Sequence, residues 1–214
     1  MWDQYAPEDR MRQNLGIRRR LAPLLDNDPR KILLANSLLM TLPGSPTLYY
    51  GDEIGMGDNI WLSDRNGVRT PMQWDDSHNA GFSSADPDKL FHPIIDEIDY
   101  PIEKVNVKAQ EGVEGSLLEE IKRMVEIRKN NAALSAGTFS WVEQVTNEKI
   151  AAYIREIGKD KVLVINNLSG ETVEIDQNEL LDQIACVDLL EKGMKASDGK
   201  FIVQPYAFHW CVTS

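Results

Sequence analysis

A helix, a turn and a short apolar run that stops on a glycine and two carboxylates limit this chain to few folds. Asp28 before Pro29 supplies an N-cap and a first-turn proline. Ile32, Leu33, Leu34, Ala35, Leu38, Leu39 and Met40 continue as a helix apolar nearly all round, which must be covered on most sides. Pro43, Gly44, Ser45 and Pro46 end it. Residues 47–50 then read as a strand that runs out at Gly51, Asp52 and Glu53, as strands do when they deliver side chains to a site. A helix leading straight into such a strand is the unit that repeats around an α/β barrel.

From residue 51 to about residue 114 the chain reads mostly as loop, with Pro71, Pro87, Pro93 and Pro101 preventing long helices. Long loops without structure of their own are uncommon unless they do something. Residues 115–130 restore an amphipathic helix, with Leu117, Leu118, Ile121, Met124, Val125 and Arg128 on one face. Helix, strand, long loop and helix together are the terminal segment of a (β/α)8 barrel, in which loops after strands build the active site. The pattern changes near residues 133–138. Beyond it, residues 139–142, 150–154, 161–167, 172–175, 201–203 and 207–212 are strand-like, separated by Gly158, Gly170 and Gly199. The expected division is a barrel portion over 1–135 and an antiparallel β-sandwich domain over 136–214.

Charge narrows the partners. Against 23 Lys and Arg stand 34 Asp and Glu, a formal charge of -11 that repels phosphate backbones and argues against nucleic acid or an anionic membrane as partner. Residues before Leu25 read as a polar loop and a basic helical segment; Arg18, Arg19 and Arg20 could hold phosphate, but pairing with carboxylates fits an acidic chain better. Cys186 and Cys211 lie on apolar stretches without metal-type spacing, which favours buried free thiols over a disulfide. With no run of roughly 20 apolar residues and Asp3, Glu8 and Asp9 near its start, the chain is expected to be cytoplasmic. An unpaired strand edge would make oligomers possible.

Three stretches carry a family resemblance. Residues 16–24 (GIRRRLAPL), 42–59 (LPGSPTLYYGDEIGMGDN) and 64–74 (DRNGVRTPMQW) resemble the trehalose synthase (maltose α-D-glucosyltransferase) branch of the α-amylase superfamily. YYGDE and RTPMQW are shared with α-glucosidases and oligo-1,6-glucosidases; the other two stretches favour trehalose synthase. The resemblance implies interconversion of maltose and trehalose by a retaining mechanism through a glucosyl-enzyme, with water kept out while the held glucose turns. It also implies that the catalytic carboxylates follow barrel strands absent from this chain, the last shortly upstream of Met1. The expectation is therefore a C-terminal portion without catalytic residues, inactive alone, whose partners are glucose disaccharides and the missing N-terminal barrel portion.

Arg69 matches the family arginine that reaches the terminal glucose, and its rigid fork of donors suits sugar hydroxyls. Asp52 and Glu53, neighbours on an extended end, point to opposite sides and are expected to hold the loop and its arginines rather than act as a catalytic pair. Trp61 and Trp74 suit either sugar stacking or packing. His78, His92 and His209 carry no assigned chemistry. Residues 64–67 lack the alternating ligands and distal Glu of a calcium loop, so no metal or cofactor is assigned here, and calcium is left to the missing part of the parent. Competing readings are a fragment of an α-glucosidase or oligo-1,6-glucosidase, and a non-catalytic carbohydrate-binding or assembly module.

Overall fold

The computed structural model describes all residues except 177–179, 181–186, 193–194, 198 and 214. The chain divides into two compact units, one made of Met1–Ile32 and Thr47–Glu120, the other of Leu33–Pro46 and Ile121–Ser214.

The first unit opens on a short helix α1 (Trp2–Tyr5) and a hairpin of β1 (Arg12–Gln13) and β2 (Gly16–Ile17), followed by α2 (Leu21–Leu24). The expected helix through Arg18, Arg19 and Arg20 is corrected. Asn14 takes a left-handed φ of 54° in the hairpin turn, and Arg20 is extended at φ -80°, ψ 164°, so helix begins only at Leu21. Helix α3 (Pro29–Thr41) starts as the sequence indicates, with the Arg30 amide donating to Asp28 Oδ1 at 2.9 Å.

No strand forms over residues 47–50, which corrects the second expectation. A strand exists only as one side of a ladder, and no neighbour among the described residues offers one. The backbone turns instead: the Asp52 amide donates to Tyr49 O at 3.1 Å, and Arg20 Nη1 donates to Tyr50 O at 2.6 Å. The long loop follows as expected, broken by 3-10 turns at Asp52–Ile54, Asn66–Val68, His78–Gly81 and Pro87–Lys89 and by the short helix α4 (Val107–Gln110). Asn106 caps α4, its Oδ1 accepting from the Ala109 amide at 2.7 Å. Ala22, Ile32, Ile95 and Tyr100 form one small core of this unit, and Ile54, Met56, Met72 and Leu118 another.

Helix α5 (Leu117–Asn130) buries the face its spacing marks, with Ile121 and Met124 at 2% and 0% exposure, and leads into α6 (Ala132–Ala136). The strands of the second unit are β3 (Thr138–Trp141), β4 (Ile150–Ile157), β5 (Asp160–Asn167), β6 (Val173–Asp176), β7 (Val187–Asp188), β8 (Lys195–Ser197), β9 (Lys200–Val203) and β10 (Phe208–Thr213). They form an antiparallel five-stranded sheet, β3-β4-β5-β10-β7, and a three-stranded sheet, β6-β9-β8. Ile150, Ala152, Leu163, Ile165 and Cys211 from the larger sheet pack with Val173, Ile175 and Val203 from the smaller. The other face of the larger sheet, through Tyr153, Val162, Val164, Phe208 and Trp210, packs with Leu34, Met40, Met124 and Leu134 of the helices. Burial on both faces explains why Val162 to Ile165 is a continuous apolar run rather than an alternating one.

A polar seam crosses that helix-facing core and is fully paired. Trp210 Nε1 donates to Ser37 Oγ at 2.9 Å, Ser37 Oγ donates to Asn166 Oδ1 at 3.0 Å, and Thr41 Oγ1 meets Tyr153 Oη at 2.6 Å. Cys211 is disulfide-bonded, which corrects the expectation of a free thiol there; Cys186 lies outside the described residues.

Candidate functional site

The three consecutive arginines all bind groups of the protein itself. Arg18 donates to the carbonyls of Arg10, Leu62, Ile60 and Asp64. Arg19 Nε grips both Asp58 oxygens at 3.0 and 2.8 Å, and the Arg20 amide adds a bond to Asp58 Oδ2 at 2.7 Å. Arg20, 2% exposed, holds Tyr50 O and Asp52 Oδ1 while lying 5.1 and 4.9 Å from the rings of Tyr49 and Tyr50. Arginine of this kind fastens a loop. Only Nη1 of Arg20 is bonded; its Nε and Nη2 are buried without a hydrogen-bond partner among the described residues.

Asp52 therefore has the scaffolding role expected of it, although it sits in a 3-10 turn and not on a strand end. Burial pushes its pKa above the usual carboxylate value, and the Arg20 charge only partly offsets this. The turn needs glycine at Gly51, whose φ is 86° and where a Cβ would stand 2.3 Å from Met56 Sδ. Glu53, one residue on, differs. Among the described residues it makes no hydrogen bond or ion pair, and its Oε2 is buried without a partner.

Glu53 lines a cavity of about 430 Å³ together with Tyr50, Arg69, Thr70, Pro71, Met72, Trp74, Phe82, Leu90, Phe91 and His92. Tyr50 Oη donates to Thr70 O at 2.9 Å, which joins the two motifs at this wall. Farther along, the Val107 and Lys108 amides donate to Gln73 O and Trp74 O at 3.1 and 2.9 Å, and Gln73 Nε2 donates to Ile95 O at 3.0 Å. Met72 anchors the same segment in the core. Arg69 is exposed within this frame; its amide donates to Asn66 O at 3.0 Å, and its guanidinium has no partner among the described residues. An unpaired guanidinium in a largely apolar cavity offers five donors to a hydroxyl-rich ligand.

Of the two tryptophans singled out in the sequence, Trp74 lines the cavity and is 51% exposed, while Trp61 lies elsewhere with Arg10 stacked 3.7 Å from its ring. His78 is bound to Ala85 O at 2.8 Å. His209 meets Asp188 in the β domain at 3.0 Å. His92 lines the cavity in edge contact with Phe91, 4.4 Å between ring centroids. Sequence reasoning missed it, along with Phe82 and Leu90; the only local signal is an aromatic pair, Phe91 and His92, set between Pro87 and Pro93. Asp64 lends its carbonyl to Arg18.

The chain matches two family models, the alpha-amylase catalytic domain over residues 18–137 and the alpha-amylase SusG C-terminal domain over residues 150–207. It is 52% identical over 182 residues to a trehalose synthase of Pimelobacter sp. (strain R48), covering 82% of this chain and 32% of that protein. To a trehalose synthase/amylase TreS of Mycobacterium tuberculosis (strain ATCC 25618 / H37Rv) it is 48% identical over 181 residues, 82% of this chain and 30% of that one. An isomaltulose synthase from Erwinia rhapontici NX5, solved with D-glucose, superposes with a TM-score of 0.71 at 20% identity, over 92% of this chain and 41% of the other, a likeness of fold. The chain thus spans about a third of the length of these curated relatives. With more than half of its residues inside the catalytic-domain match, and with the loop that carries Arg69 in that half, the chain belongs to the alpha-amylase family.

Proposed function

We propose that this chain is the C-terminal portion of a maltose–trehalose interconverting glucosyltransferase, with residues 1–135 completing a catalytic barrel and residues 136–214 forming its β domain. The observation that carries the reading is Arg69, unpaired on the wall of a cavity built from the two sequence motifs. Identity of about half to two trehalose synthases supports the choice of disaccharide. On this reading Arg69 binds the non-reacting hydroxyls of the terminal glucose, and the apolar wall of Met72, Trp74 and Phe82 keeps water from the bond being exchanged. No catalytic residue is assigned to this chain, and no cofactor; any calcium belongs to the part of the parent beyond it.

The catalytic partner is then the N-terminal barrel portion. Leu48, Tyr49 and Tyr50, 37%, 41% and 39% exposed, are the surface it would cover, and their exposure makes self-association of the isolated chain expected. Among the described residues no helix is long and apolar enough to cross a membrane. We place the protein in the cytoplasm, where the Cys211 bridge must withstand a reducing pool or open.

The test is a product analysis. The purified chain given maltose should form neither trehalose nor glucose, and turnover by the chain alone refutes its proposed inactivity. A full-length protein carrying this segment should turn maltose into trehalose; glucose as the sole product would make the parent a hydrolase.

A further inference from the structure

Trp61, which suits either sugar stacking or packing on its sequence, is not packed away. Its ring is 73% exposed, and among the described residues it is the only large apolar side chain exposed between Gly51 and Gln73. One face of the ring is backed by the Arg10 guanidinium, 3.7 Å from the centroid, and Arg10 Nε pairs in turn with Glu8 Oε2 at 2.9 Å. Ring and backing are fixed by one group. Arg18, 8% exposed, donates from Nε to Arg10 O at 3.0 Å, from Nη2 to Ile60 O at 2.9 Å, from Nη1 to Leu62 O at 2.6 Å, and from Nη1 to Asp64 O. The carbonyls on either side of Trp61, and that of the residue stacked on it, thus meet at a single buried guanidinium. The loop closes at its foot, where the Asn59 amide donates to Gly67 O at 3.0 Å and Asn59 Oδ1 accepts from the Trp61 amide at 3.0 Å.

An indole held rigid in water gains nothing for the fold, because its apolar area stays exposed. Rigidity does serve a ligand, since a contact surface already in place loses little freedom on binding. The free face of the ring suits a flat molecule with C–H groups on its face and hydroxyls around its edge, and Arg10 and Glu8, both partly exposed, set donors and an acceptor beside it. A protein partner would call for a cluster of large apolar residues around the anchor, whereas the exposed neighbours of Trp61 along the chain are Ser63, Asp64 and Arg65. We propose that Trp61 is a stacking platform for a glucose unit of a neutral α-glucan, at a site separate from the cavity that Arg69 lines. This goes beyond the disaccharide reading: a cavity takes a terminal glucose, while a platform with an open face takes an internal unit of a longer chain. Arg18 is then a positioning residue, which accounts for its donors being gathered on the Trp61 loop.

The experiment is titration of the 214-residue chain with β-cyclodextrin, followed through the indole N–H resonances by NMR. This closed ring of α-1,4-linked glucose units has no terminal glucose to enter the Arg69 cavity, so its binding is independent of the disaccharide reading, which the maltose-to-trehalose assay judges separately. The Trp61 resonance is the one lost in Trp61→Phe. It should shift as cyclodextrin is added, and Trp61→Ala should weaken the affinity about tenfold or more at an unchanged melting temperature, while Arg69→Ala leaves the affinity as it was. A Trp61 resonance that does not move, or an affinity unchanged in Trp61→Ala, overturns the proposal. A loss in Arg69→Ala as large as that in Trp61→Ala overturns it by returning the ligand to the cavity, and a lowered melting temperature in Trp61→Ala overturns it by assigning the ring to the scaffold. Movement of the Trp61 resonance with protein concentration, before any sugar is added, overturns it in favour of contact between copies of the chain.

Discussion

Arg155 is the residue whose removal the structure makes easiest to cost. It lies on β4 at 1% exposure, and its guanidinium donates to Thr41 O at the end of α3, to Gly137 O at 2.8 Å and to Thr138 O at 3.2 Å. Among the described residues no carboxylate joins it. Burial pulls its pKa below the ordinary arginine value, with the Arg128 charge adding to the effect. The offset is the helix end itself, since the last carbonyls of a helix lack partners and carry partial negative charge. In Arg155→Met the stem survives and three carbonyls lose their donor. Leaving buried acceptors unpaired costs about 1–3 kcal/mol each, while the desolvation of the cation is recovered, so a net loss of about 3 kcal/mol is expected. For a chain of this size that is a drop in Tm of about 6–12 °C. Scanning calorimetry suits the assay because two compact units can melt separately. Lys149→Ala is the control: the Lys149–Glu171 pair, at 2.6 Å, is exposed on both sides and should count for less than about 1 kcal/mol. A loss below about 1 kcal/mol in Arg155→Met refutes the account of a helix end held by a buried arginine.

Other expectations follow from the same contacts. Gly67→Ala places a Cβ 2.1 Å from Asn59 O, so the turn carrying Arg69 must shift; maltose binding should fall more than the melting temperature, and unchanged affinity would show that the turn yields freely. For Asp188, burial alone would raise the pKa, but the hydrogen bonds from His209 and the Leu190 and Trp210 amides, with the His209 charge, hold it below 3.8. A depressed carboxylate contributes stability above its unfolded pKa and loses it as pH falls through the folded one, so the advantage of wild type over Asp188→Asn should shrink below pH 3.8; a gap constant to pH 2 refutes the linkage. Reduction of the Cys211 disulfide should lower stability by about 2–4 kcal/mol, read as a lower Tm in dithiothreitol, and an unmoved Tm refutes that contribution.

What sequence reasoning reached was what local chemistry decides. Asp28 and Pro29 start α3, the spacing of Leu118, Ile121, Met124 and Arg128 marks the buried face of α5, and alternating or continuous apolar runs mark β4, β5 and β10. What it missed is set by distant groups. Arg18 leaves the helix pattern of its neighbours because carbonyls more than forty residues along the chain take its donors. Strand β7 is two residues long and exists because Cys211 and Val212 of β10 pair with it. The cavity shows the same division. Arg69 and Trp74 belong to a recognisable motif, whereas Phe82, Leu90 and His92 reach the wall through a loop whose path depends on Asn79 and Ala80 at φ 52° and 57°. No residue pattern announces an alanine in the left-handed region.

The failed strand at residues 47–50 is the most informative of these departures. Its sequence has every local attribute of a strand, and backbone pairing is what it lacks. The side chains meant for two faces are consequently half exposed, Leu48, Tyr49 and Tyr50 among them. Yet the end of the segment is already fixed, because Arg20 holds Tyr50 O and Asp52 from one side and Tyr50 Oη holds Thr70 O from the other. Those bonds are all internal to the first unit, so the position of Glu53 and Arg69 on the cavity wall does not depend on a ladder. A cavity wall assembled this way can keep the proposed sugar-binding Arg69 in place before a neighbouring strand arrives, which is why sugar binding by this chain, separate from any turnover, is the measurement that bears most directly on that proposal.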